Sequence, residues 1–333
     1  MDERLASRRQ VLKTSAALLA GTCAGTAFGQ VAGELTSTRP ATDPAVTQPV
    51  WDGPIIDIHQ HTTYHGRSDA ALFNHQRKMG VTQTILLPSG SPVDAPSTLK
   101  GKANGLYAGA GPVSTVVPIA KAHPGEYFFF SNEVPDLPDA RAKLIEGLKG
   151  GGIGIGEQKF NVPCDSKEME AIYELAQEYR VPVLMHFQHD MFNTGYERFG
   201  KVLEKWSKVT FIGHAVLFWA HIDANAVPGV AYPKGKVAAG GLTDKYLSDY
   251  PNLYADMSAG SGLNALIRDE DHARAFIDRH QDRMMFGSDC PDAAGTGPTC
   301  TGSSTIAAIQ RLSPSKAVAR KLLYENARAL FKV

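Results

Sequence analysis

The stretch Ile55–His65, IIDIHQHTTYH, ends an apolar run in three histidines. A β-strand sends alternate side chains to the same face. His59 and His61 therefore share a face at the tip of a short buried strand. Two imidazoles side by side at a strand tip suit a metal ion and do not suit a hydrophobic core. Where the other ligands come from decides the fold.

Further apolar runs follow, most of them trailed by a helix-like segment. Pro54–Ile58 is the first predicted strand, and Asp69–Met79 reads as a helix. The second strand is Val81–Leu87, before a long Gly/Pro/Ser-rich connection over Pro88–Pro112. Strands are predicted next at Glu126–Ser131, Ile153–Phe160, Val181–Phe187, Val209–His214, Leu253–Met257 and Arg283–Ser288. Helical spacing appears over Asp139–Lys149, over Ser166–Tyr179 and in a terminal helix over Ser313–Leu330. Strands alternating with helices imply a parallel sheet with crossovers. Eight such units predict a distorted TIM-type (β/α)8 barrel, a single α/β domain over residues 51–333. A doubly wound sheet is the runner-up, weakened because no Gly-rich dinucleotide fingerprint opens any helix.

In a TIM barrel the site lies at the C-terminal ends of the strands. Strand one ends in His59 and His61. Strand four, IGEQKF, carries Glu157 and Lys159. Strands five, six and eight end in His186, His214 and Asp289. Each is a metal-ligand or acid/base residue at the tip of an apolar run. Such a mixed imidazole and carboxylate set suits Zn²⁺, with Mn²⁺ or Fe²⁺ as alternatives.

The segments DIHQH, VLMHF, FIGHA and MFGSDCP together resemble the amidohydrolase superfamily, closest to the amidohydrolase-2 branch that includes amino-carboxymuconate-semialdehyde decarboxylases. The likeness runs from Ile55 to Phe331, through YPNLYADMSA and the terminal NARALF. It implies that His59, His61, His186 and Asp289 bind one metal. It implies that His214 serves as acid/base or activates the attacking water. Asp289 would accept that water's proton and pass it to the leaving group. Glu157 is an additional metal ligand on this reading. IGEQKF is also similar to a segment of TatD-type nucleases in which the glutamate bridges two metals, although the following Gly-Leu-Asp is missing here. Lys159 is alternatively the carbamylated lysine of other amidohydrolases.

The implied activity is metal-dependent hydrolysis of a small-molecule amide, ester or lactone. Non-oxidative decarboxylation of a small carboxylate on the same site is the alternative. A binuclear phosphoesterase and a non-catalytic metal-binding barrel are weaker ones. Lys159, His189, His221, Trp219 and Arg67 are the expected substrate contacts, with Phe187 and Phe218 beside them. Residues 226–241, rich in Gly and Pro, read as a loop over the mouth. His65, His75, His123, His272 and His280 read as solvent-facing, and Cys290 as packing.

Lys plus Arg equals Asp plus Glu, at 34 each, so no basic excess invites nucleic acid. Ser7–Lys13, SRRQVLK, resembles a twin-arginine export signal. A short apolar stretch and the small residues Ala27-Phe-Gly29 follow it. Residues 1–29 are therefore expected to be a signal peptide read by the twin-arginine machinery, 30–50 a linker, and the mature protein periplasmic or exported. That protein keeps Cys164, Cys290 and Cys300, an odd number that argues against a disulfide framework, although Cys290 and Cys300 span one loop. Family members are often homodimers, which the resemblance extends to this chain.

Overall fold

The computed structural model describes residues 51–92, 104–107 and 109–333. The expected signal peptide, the linker and the middle of the connection after the second strand lie outside the described residues. Among the described residues no helix is long and apolar enough to cross a membrane.

All eight expected strands form. They are β1 (Ile56–Gln60), β2 (Gln83–Leu86), β3 (Tyr127–Phe129), β4 (Ile155–Gln158), β5 (Val183–His186), β6 (Phe211–His214), β7 (Leu253–Asp256) and β8 (Met284–Met285). Neighbours pair in parallel, in the orders β1-β2-β3 and β4-β5-β6-β7-β8. Backbone bonds then close the ring. Ser131 N donates to Gly154 O and Gly156 N to Ser131 O, each at 2.9 Å, joining β3 to β4. Ile58 N donates to Phe286 O at 3.2 Å and Asp289 N to His59 O at 2.8 Å, joining β8 to β1. A doubly wound sheet would leave two open edges; this sheet is a TIM-type barrel.

The interior is filled by alternate residues of the strands. Ile56, Ile58, Ile85, Leu87, Phe130, Leu184, Ile212 and Met285 form one buried cluster, joined by Ala327 and Phe331. Asn326 Nδ2 donates to Gln281 O and Met284 O, at the start of β8. The final helix therefore covers the end of the barrel opposite the histidines. A larger apolar cluster packs the outer faces of the strands against the helices.

Local chemistry sets the helix ends. Ser68 Oγ accepts from Ala71 N at 3.3 Å and starts Asp69–Met79, which stops at Gly80 with φ +80°. Ser166 does the same for Lys167–Tyr179, whose Met169, Ile172, Tyr173 and Ala176 are buried as the spacing predicts. The terminal helix is less regular than its spacing suggests. It runs as Lys316–Arg320, a π-helical turn over Lys321–Glu325, and Asn326–Phe331.

Two histidines read as solvent-facing are buried. His75 lies under the segment after β8, against Cys300. His280 has its Nε2 2.6 Å from Asp244 Oδ1, a partner that offsets its burial.

Candidate metal centre

Simple alternation along β1 would put Gln60 inward with Ile56 and Ile58, and the histidines outward. The register corrects this. Asp57 pairs with Thr84 and Gln60 with Leu86, so three steps on β1 match two on β2. One extra residue shifts the phase and turns His59 and His61 to the centre, as bulges beside active sites do. The same happens on β4, where Ile155 pairs with Val183 and Gln158 with Met185. Gly156 lies in that irregularity with φ +138°, and a Cβ there would come 2.8 Å from Leu184 O. Only glycine fits both the dihedral and the space. It sets Glu157 into the site. His186, His214 and Asp256 need no such device, since they follow Leu184, Ile212 and Tyr254 by two residues.

Six ionisable side chains converge. Glu157 stands in the middle. Its Oε2 is 3.2 Å from His59 Nε2 and 3.5 Å from His61 Nε2. Its Oε1 contacts His186 Nδ1 and lies 3.7 Å from His214 Nε2. Asp289 Oδ1 is 3.4 Å from His61 Nε2 and 3.9 Å from His59 Nε2, and its Oδ2 is 3.7 Å from His214 Nε2. Three overlapping donor groups result: His59, His61 and Glu157; His59, His214 and Asp289; Glu157, His186 and His214. His186 thus stands on the far side of Glu157 from His61, which departs from a plain His59, His61, His186, Asp289 set.

The proton positions show why a cation belongs here. His61 Nδ1 is 2.6 Å from Leu87 O, and a carbonyl only accepts, so Nδ1 carries the proton. His59 Nδ1 is 2.6 Å from Asp256 Oδ2, which calls for the same tautomer. With both rings neutral, each Nε2 carries a lone pair, and the two face each other at 3.2 Å. Two lone pairs at that distance need a positive charge between or beside them. Asp289 Oδ1 is buried and lacks a hydrogen-bond partner. A buried carboxylate oxygen with no hydrogen bond, 3.4 Å from His61 Nε2 and 3.9 Å from His59 Nε2, fits a divalent metal.

The electrostatics point the same way. Burial works against a charged His59, but Asp289, Asp256 and Glu157 outweigh it and raise its pKa well above the ordinary imidazole value. His61 is raised too, its burial overcome by Asp289 and Glu157. Burial would raise Glu157, yet His186 and His59 hold it well below the usual carboxylate range. Asp289 is depressed against its burial by His59 and His61. His214 is pushed down to about 4 by burial and then by His59. The carboxylates remain anionic and draw positive charge toward His59 and His61.

Of the expected substrate contacts, Lys159, His189 and His221 are partly exposed. Lys159 Nζ lies 5.9 Å from the Phe192 ring centroid, and the rings of His189 and His221 are 6.0 Å apart. The other expected contacts face elsewhere. Arg67 is buried and donates to Gln60 Oε1 at 2.6 Å, Cys290 O at 2.8 Å and Asp292 O at 2.9 Å. Its fork is committed to bracing the loop after β8. Trp219 is buried and donates to Asp256 O at 2.9 Å, while Phe187 and Phe218 are core residues. Three site residues lie outside the expected set. Asp256 ends β7 and Ser258 follows it, with Ser258 Oγ 3.0 Å from His214 Nδ1. The Tyr64 ring lies 4.8 Å from that of His61, and burial plus the neighbouring Asp289 carboxylate raise its phenol pKa. Asp at the tip of LYAD is a signal of the same kind as the others and marks Asp256.

Residues 242–333, which include Asp256 and Asp289, match the amidohydrolase-2 family model, described as Amidohydrolase. No curated protein matches the chain. Several solved structures share the fold. An uncharacterised TIM-barrel protein from Bordetella bronchiseptica is 17% identical with TM-score 0.56, over 84% of this chain and 99% of that one. A Pseudomonas putida protein provisionally assigned as 2-pyrone-4,6-dicarboxylic acid hydrolase is 16% identical with TM-score 0.56, over 84% and 97%. A 5-carboxyvanillate decarboxylase from Novosphingobium aromaticivorans, in complex with manganese and 4-hydroxy-3-methoxy-5-nitrobenzoic acid, is 13% identical with TM-score 0.53, over 85% and 97%.

Proposed function

We propose that this chain, whose residues 242–333 match the amidohydrolase-2 family model, is a metal-dependent hydrolase of a small-molecule amide, ester or lactone. The observation that carries the metal is the convergence of His59 Nε2 and His61 Nε2, 3.2 Å apart, with Asp289 Oδ1 3.4 Å from His61 Nε2. His59, His61, Asp289 and Glu157 would hold the ion. Imidazole and carboxylate donors suit Zn²⁺ or Mn²⁺. When bound, such an ion supplies Lewis acidity to a substrate oxygen.

The protein's own part is proton handling. Asp289, anionic and braced by its backbone bond to His59, takes a proton from the attacking water. His214 Nε2, 3.7 Å from Asp289 Oδ2, is placed to steady the developing negative charge or to relay that proton to the leaving group. Lys159, His189 and His221 at the mouth offer cationic and polar contacts to an anionic substrate.

A second reading is non-oxidative decarboxylation. It is supported by Lys159 beside the Phe192 ring, a pairing that suits an aromatic carboxylate, and by the decarboxylase among the fold's neighbours. A two-metal site is supported by Glu157, whose two oxygens face different histidine pairs. Screening lactones, esters, amides and aromatic carboxylates in ¹⁸O-labelled water separates the two reactions. Label in the product supports hydrolysis. Carbon dioxide release with no label in the product overturns it in favour of the lyase. Elemental analysis of the metal-loaded protein and of a Glu157→Gln variant tests the bridge, which predicts loss of more than one ion.

Export is a further part of the proposal, motivated by Arg8 and Arg9. Cell fractionation of an Arg8→Lys/Arg9→Lys variant would find the protein retained in the cytoplasm; an unchanged distribution would refute it.

A further inference from the structure

Among the described residues outside the histidine–carboxylate centre, one buried cluster of ligand-type side chains has no part in the function above. It consists of His75 on the helix Asp69–Met79, Cys290 directly after Asp289, and Cys300 at the start of the helix Thr301–Leu312. All three are buried, and both cysteines are free thiols. Cys290 Sγ is 4.0 Å from Cys300 Sγ, and Cys300 Sγ is 3.4 Å from His75 Nε2.

We propose that His75, Cys290 and Cys300 form a second metal site, for a thiophilic cation of the zinc class. The distances argue for it. Around a tetrahedral zinc, sulfur–sulfur edges are roughly 3.8 Å and sulfur–nitrogen edges roughly 3.6 Å, from bond lengths of about 2.3 and 2.0–2.1 Å. The observed separations bracket those values. A disulfide needs the sulfurs at about 2.05 Å.

The surroundings suit thiolates. Ser303 N donates to Cys300 Sγ at 3.4 Å. Such a donor at a helix N-terminus steadies negative sulfur. The loop is built tightly around the trio. A Cβ at Gly295, where φ is +71°, would come 2.4 Å from His75 O, and one at Gly302 would come 2.5 Å from Met79 Sδ. On binding, the two thiols give up their protons to solvent, and no redox partner is needed. The bound ion clips the segment 290–300 to the helix that carries His75. That segment begins one residue after Asp289 and receives the Arg67 guanidinium at Cys290 O and Asp292 O. The clip therefore fixes the backbone from which Asp289 projects.

The test uses full-length protein purified without chelator and loaded with Zn²⁺ alone. Zinc K-edge X-ray absorption on the wild type should show sulfur scatterers at about 2.3 Å. A Cys290→Ala/Cys300→Ala variant should hold one zinc fewer per chain and lose the sulfur signal while keeping the nitrogen and oxygen signal. Purely nitrogen and oxygen scattering in the wild type, with both thiols titrating after denaturation, would overturn the site. A wild-type mass lower by two hydrogens, the mark of a Cys290–Cys300 disulfide, would overturn it as well. The wild-type spectrum decides even if the double variant fails to fold, and sulfur ligation separates this site from the histidine–carboxylate centre.

Discussion

His59 and His214 are held by one carboxylate: Asp256 Oδ2 lies 2.6 Å from His59 Nδ1 and 3.3 Å from His214 Nδ1. On the proposed reading, a metal ligand and a proton-handling residue thus share one support. Ser258 Oγ completes it, 2.9 Å from Asp256 Oδ2. Replacing Asp256 with Asn leaves a side chain of the same shape without the charge. Metal affinity should fall about 10–100-fold, read by competition with a chromophoric chelator. Unchanged affinity would show that Asp256 does not orient the site.

Asp289→Asn tests the proton acceptor. The fold should persist, because the backbone bond from Asp289 N to His59 O does not involve the side chain, and His59, His61 and Glu157 should still hold the ion, at lower affinity, so turnover is compared at saturating metal. Turnover should fall by roughly 10²–10⁴-fold, the usual worth of a positioned base. Full activity in this variant would remove Asp289 from the chemistry.

Gly156→Ala tests the irregularity in β4. The new methyl meets Leu184 O at 2.8 Å on a backbone with φ +138°. A cost of about 1–3 kcal/mol is expected, measured as a lower denaturation midpoint. Because Glu157 is the next residue, metal binding should weaken in the same variant. A stable variant with full metal would mean that the segment tolerates an ordinary side chain.

Acid should release the loop at residues 226–241 before the barrel. Asp269 accepts from Val237 N at 2.9 Å and pairs with Lys236 Nζ at 2.9 Å. Those bonds lower its pKa to about 2, the Val237 N–H first and Lys236 next. A depressed carboxylate pKa contributes stability above its unfolded value and loses it as pH falls through the folded one. The tether should therefore be complete above about pH 4 and lost toward about 2. Hydrogen exchange at Val237 should rise over that window, and Asp269→Asn should show the rise already at neutral pH. Exchange that is flat with pH would place the anchor elsewhere.

The barrel was legible because its signal is the repetition of short apolar runs, and the tips of β1, β4, β5, β6 and β8 gave up their polar residues. The limits are equally physical. Periodicity cannot reveal an extra residue in a strand, so the phase shift that turns His59 inward is visible only in the register with Thr84 and Leu86. His59 and His61 were correctly paired, but by a rule the strand itself breaks. Arg67 reads as a substrate contact because a lone cation near a strand end looks available, and only tertiary structure shows its donors spent on Gln60, Cys290 and Asp292. His75 lies on a helix of mixed polarity, and nothing local marks the face covered by Cys300.

The final helix has a kinetic consequence. Ala327 and Phe331 complete the apolar filling of the barrel at the end away from the histidines. Among the described residues, the interior at that end is packed side chains. Reactant and product must then use one doorway, and a product still seated there blocks the next molecule. Added product should behave as a competitive inhibitor, raising the apparent KM and leaving kcat untouched, and a noncompetitive pattern would point to a separate way out.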